Sequence, residues 1–139
     1  MKRLLFFGFL SLMTACQKNV SQEDLPFLNG YWEIAKVNMP DGQTKEYTIN
    51  TTVDYIEMKD LSGFRKKVYP KLDGTFDTSN DTEEFTVVNQ NNIIELHYKT
   101  NLSEWVETLN TLDQDSFSVT NTDKITYTYK RFQPIKVQK

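Results

Sequence analysis

From residue 31 onward, short runs rich in β-branched and aromatic residues alternate with turn-forming pairs, and this rhythm confines the chain to an all-β fold. The runs span residues 31–38, 44–49, 53–58, 64–69, 75–78, 84–89, 93–99, 104–111, 116–120 and 124–132. Between them stand Asp41-Gly42, Ser62-Gly63, Asp73-Gly74, Asn80-Asp81, Gln90-Asn91 and Asn121-Thr122-Asp123. Such residues reverse the chain because they accept positive φ or bond their own backbone. Strands this short and this close pair with their neighbours, and the strand-helix alternation of a parallel sheet is missing.

Alternation is clearest late in the chain. Ile94, Leu96 and Tyr98 share one face of a strand, while Glu95, His97 and Lys99 share the other. Ile125, Tyr127 and Tyr129 alternate with Lys124, Thr126, Thr128 and Lys130 in the same way. A meander of roughly eight to ten half-buried strands best hides its edges by closing into an up-and-down barrel. One segment is ambiguous: Trp105, Val106, Leu109 and Leu112 follow helical spacing behind a Ser103-Glu104 start. The β-branched Thr108 and Thr111 favour strand there.

Before the strands comes a leader. Lys2 and Arg3 precede an apolar run over 4–13, the length of a signal-peptide core and too short to cross a bilayer as a helix. Cys16, the single cysteine, follows Leu12-Met13-Thr14-Ala15, which resembles the lipobox of bacterial lipoproteins. That resemblance implies cleavage after residue 15 and diacylation of Cys16, so that membrane lipid is a partner held through acyl chains such as palmitate. Met13 stands where leucine is usual. An ordinary secretory signal is the alternative reading. Residues 16–26, polar through Ser21, Gln22, Glu23 and Asp24, read as a lipidated, solvated tether, and 27–139 as one domain.

A lone cysteine excludes disulfides, so the domain depends on its core. Sixteen basic side chains, two of them in the leader, face 19 acidic ones, a balance that does not suit nucleic acid as a partner.

Gly30-Tyr31-Trp32 at the first strand and Tyr127-Thr128-Tyr129-Lys130-Arg131-Phe132 at the last resemble the lipocalin pattern, and the wider chain resembles the lipocalin-like lipoproteins of Bacteroidetes. The resemblance implies that Trp32 packs against Arg131 at the closed end of a barrel, a cation-π contact of about 0.5–2 kcal/mol. In such lipoproteins acidic residues directly after the cysteine favour surface display. Here Lys18 intervenes, so the expected location is the periplasmic face of the outer membrane, with the cell surface as the alternative.

Chemistry is sparse. His97 is the single histidine and belongs to a polar strand face, which favours an exposed residue over a base. Asp77, Asp81, Glu83 and Glu84 miss the calcium-loop spacing, and Asp113 with Asp115 reads as a turn. Arg65, Lys66, Lys67 and Lys71, interleaved with Phe64 and Tyr69, read as an exposed strand face. No catalytic residue, metal site or cofactor is expected. The expected function is burial of a small apolar or amphipathic ligand by Tyr55, Tyr98, Tyr127 and Tyr129, each an apolar ring with a polar tip. A protein-docking or inhibitor module acting through the loops is the alternative.

Overall fold

The computed structural model describes residues 19–134. A 3₁₀ helix, Gln22–Leu28, leads into β1 (Gly30–Asn38), β2 (Thr44–Glu46), β3 (Val53–Lys59), β4 (Ser62–Pro70), β5 (Phe76–Thr78), β6 (Glu83–Gln90), β7 (Ile93–Lys99), β8 (Glu104–Leu112), β9 (Ser116–Asn121) and β10 (Thr126–Arg131). Eight of these, β1, β3, β4, β6, β7, β8, β9 and β10, pair antiparallel in a ring, and β10 returns to β1 with Trp32 opposite Arg131. The two extra strands lie off the ring, β2 on β1 and β5 on β4. The chain is thus the closed antiparallel barrel that its strand rhythm predicts.

Turn chemistry sets the hairpins. Asn91 and Asn92 both take positive φ, 52° and 64°, in the two-residue link from β6 to β7, where the turn twist must match the strands. The carboxylates of Asp41 and Asp73 accept the backbone N–H groups of Gln43 and Thr75 around the tight turns at Gly42 and Gly74.

The ambiguous segment is strand β8, and a bulge between Leu109 and Thr111 explains its helical look. One extra residue lets Leu109 and Leu112, three apart, both face inward opposite Val119 and Phe117. β1 has the same device, with Ile34 and Val37 opposite Tyr129 and Tyr127.

The tether ends sooner than the sequence suggests. From Gln22 the chain is helical, Ser21 caps it by accepting the Glu23 N–H, and Leu25 and Leu28 are buried in the barrel's lower end. In a three-residue period those two leucines share a face and Glu23 and Asp24 lie off it, a pattern too short to register against its acidic neighbours. The signal segment 1–15 and Cys16 lie outside the described residues.

Within the ring, Trp32 meets Phe117 edge-on at 4.8 Å and Phe117 stacks on Tyr129 at 4.6 Å. Ile56, Phe85, Val87, Ile94, Leu96 and Leu109 complete this core. A smaller apolar layer lies outside the wall, where Phe76 of β5 stacks on Tyr31 at 4.4 Å and approaches Phe132.

Candidate binding site at the barrel mouth

The two barrel ends are built differently. At the closed end the Arg131 guanidinium lies 3.8 Å over the Trp32 ring. Its N–H groups donate to the carbonyl oxygens of Asn29 (2.7 Å), Phe27 (2.9 Å) and Gln114 (2.8 and 3.0 Å). Trp32 Nε1 donates to the Leu28 carbonyl oxygen at 2.8 Å. Gly30, at φ +122°, is needed here, because a Cβ would stand 2.5 Å from Arg131 Nη1. Helix, first strand, β8–β9 turn and last strand are thereby tied together.

Toward the mouth the interior becomes charged. Arg65 of β4 stands opposite Ile56 and Glu83, so strand alternation turns it inward. Its Nε lies 2.8 Å from Glu83 Oε2, its Nη1 3.4 Å from Glu107 Oε2, and its Cζ 4.6 Å from the Tyr98 ring centre. Burial opposes the charge on Arg65, but the facing Tyr98, Glu107, Tyr129 and Glu83 outweigh it and hold the guanidinium pKa well above its usual range. The same burial raises the phenol pKa values of Tyr98 and Tyr129, with Arg65 acting against it in both.

Asp54, opposite Trp32 on β3, is only 3% exposed. Lys67 brings Nζ to 2.5 Å from Asp54 Oδ1, a charged partner for this buried carboxylate. Trp105 stacks flat on Tyr98 at 4.9 Å and lines an open cleft of about 880 Å³ between the turns at 80–84 and 99–103.

The expected basic strand face therefore divides. Lys66 points outward over Tyr55 and Lys71 pairs with Asp77, while Arg65 and Lys67 enter the barrel. The missed signal was the alternation itself: Asp54, Ile56 and Met58 share one face of β3, and pairing carries that face to Lys67, Arg65 and Gly63 on β4. Basic residues are usually outside, and that habit hid the parity.

Of the four tyrosines expected to hold a ligand, Tyr98 and Tyr129 are buried beside Arg65, and Tyr127 is half-buried on the same face of β10. Tyr55 is elsewhere. It pairs with Tyr31 on the outer wall and donates its hydroxyl to Glu57 Oε2 at 3.1 Å. His97 contacts Glu95 at 2.7 Å on the outer face of β7. Asp113 accepts the N–H groups of Asp115 and Ser116 in its turn. Among the described residues no group of His, Cys, Asp and Glu side chains is placed to hold a metal ion.

A closed antiparallel ring with a sealed apolar end and a polar, aromatic mouth defines the class of small one-ended barrels, in general a binding fold. The model of the lipocalin-like domain family matches residues 28–119, and the chain belongs to that family. Two solved structures are similar to it. One is a lipocalin-like protein from Bacteroides uniformis ATCC 8492, 11% identical, covering 76% of this chain and 99% of that one with a TM-score of 0.47. The other is an uncharacterized protein from Bacteroides eggerthii DSM 20697, 10% identical, with the same coverage and TM-score. No curated protein matches the chain.

Proposed function

We propose that this chain is a non-catalytic binding protein of the cell envelope, anchored through acylated Cys16 to the periplasmic face of the outer membrane, that receives a small amphipathic ligand at the barrel mouth. The observation that carries the reading is the inward set Asp54, Arg65, Glu83 and Glu107 beside Tyr98, Tyr129 and Trp105. Burying charges of this kind costs stability that an apolar core would not lose, so their retention favours a role in recognition. Aromatic rings would cover an apolar body while the charged groups orient its polar end. Native mass spectrometry of the protein from its host envelope tests this. A co-purifying small molecule that Tyr129→Ala loses is the expected result, and a bare protein from several gentle preparations overturns it.

A second reading has its own observation. Ile49 and Leu72 are 87% and 79% exposed. Leu72 borders a groove of about 240 Å³ formed with Pro70, Phe76, Phe132 and Pro134 outside the barrel. Exposed apolar side chains beside such a groove suit a protein partner. Loss of a co-purifying protein from a Leu72→Asp variant, with the small molecule retained, would favour it.

A further inference from the structure

We infer that the open cleft between the turns at 80–84 and 99–103 docks a basic segment of a partner protein, with an arginine laid against Trp105 and an apolar neighbour against Leu102. This depends on neither a ligand in the lumen nor a partner at the Leu72 groove.

Leu102 is 96% exposed in the β7–β8 turn, and the turn beneath it is locked. The Thr100 hydroxyl accepts the N–H groups of Leu102 (3.2 Å) and Ser103 (3.1 Å), and the Thr100 N–H donates to the Ser103 carbonyl oxygen at 2.9 Å. The backbone that presents Leu102 is thus ordered before any partner arrives, which lowers the entropy lost on docking. Trp105 is ordered too. Its ring lies 4.9 Å from that of Tyr98 and 5° from parallel, so what it offers the cleft is the opposite face and an edge. Rigid indoles are among the side chains that anchor protein partners most strongly.

Charge decides the kind of partner. Glu84, Lys99 and Glu104 face one another in register across β6, β7 and β8, and the Lys99 ammonium goes to Glu104 at 3.3 Å. Glu83 is turned to Arg65. Among the described residues Asp81 and Glu84 have no ion-pair partner, so the cleft wall keeps two uncompensated carboxylates beside an aromatic ring and an exposed leucine. A guanidinium suits that combination better than an ammonium, because its planar fork pairs with a carboxylate through two bonds while its face stacks on an indole. The same acids would repel an anionic lipid surface or a nucleic acid. A protein segment with arginine beside an aliphatic residue satisfies both the charged wall and Leu102.

The test follows the Trp105 indole N–H by NMR while the purified protein is titrated with a capped Leu-Arg-Leu peptide, and with versions carrying lysine, citrulline or glutamate in place of arginine. The arginine peptide is expected to shift this signal with a Kd of about 1 mM, and citrulline, which keeps the shape and loses the charge, to bind at least about tenfold more weakly. Asp81→Asn combined with Glu84→Gln is expected to erase that difference, and Leu102→Ser to weaken both peptides about threefold. All three positions are exposed, so thermal unfolding should be unchanged. Equal or tighter binding of the citrulline or glutamate peptide overturns the charge assignment, and lysine binding as tightly as arginine refutes stacking on Trp105. A Trp105 signal unmoved by the arginine peptide at about 10 mM overturns the site itself. The same shift produced by anionic vesicles without peptide would make lipid the occupant and overturn the protein partner.

Discussion

Single residues carry opposite duties at the two barrel ends. Arg131 joins four segments by planar, directed hydrogen bonds and a ring contact, so Arg131→Ala is expected to cost about 2–4 kcal/mol in urea unfolding. Arg131→Lys should recover little, because one ammonium cannot reproduce a fork that reaches three carbonyls. Tyr98 and Tyr129 respond to pH instead. Burial raises their phenol pKa values above the usual value near 10, so the unfolded chain loses these protons first as pH rises. Their contribution is complete below pH ~10 and declines above it, at about 1.4 kcal/mol per pH unit for each tyrosine. Denaturation curves from pH 9 to 11 should show this slope, and Tyr98→Phe or Tyr129→Phe should reduce it. Unchanged slopes in both variants would mean that neither phenol is protected.

At the scale of elements, the 3₁₀ helix is a stopper. Leu28 is fully buried and its carbonyl oxygen holds the Trp32 indole, so Leu28→Ala is expected to cost about 2–4 kcal/mol. A urea midpoint unchanged from the parent would show that the helix is dispensable. The strands and hairpins were legible in the sequence because each is set locally: alternation gave Ile94, Leu96 and Tyr98 their common face, and Gln90-Asn91 marked a reversal whose two linking residues are Asn91 and Asn92. The stopper was not legible, since two leucines among acids show no period until the barrel supplies a place for them. Bulges hid likewise, for an extra residue in β8 imitates helical spacing and is distinguished from it only by the partner strand. At the candidate site, ring type pointed correctly to Tyr98 and Tyr129 as interior residues. The charged half was invisible because the inward direction of Arg65 follows from its pairing with Ile56 on β3.

On the scale of the whole molecule, the stopper would also set which way the barrel faces if Cys16 is acylated as proposed. The path from Cys16 to Ser21 is five residues, at most about 18 Å when extended. The helix that follows is packed into the closed end, beside the β3–β4 turn at Asp60. An acylated Cys16 would therefore hold the closed end close to the lipid. The mouth, marked by the β7–β8 turn at Asn101, would stand a strand length farther out, roughly 20 Å. Ligand would then enter from the aqueous phase, consistent with an amphiphile small enough to dissolve. Donor dyes attached at Asp60→Cys and at Asn101→Cys, in lipidated protein on vesicles carrying a headgroup acceptor, should show stronger energy transfer from the first. Equal transfer would mean a barrel tumbling freely on a longer leash. Stronger transfer from Asn101 would place the mouth against the membrane and make the bilayer the ligand's source.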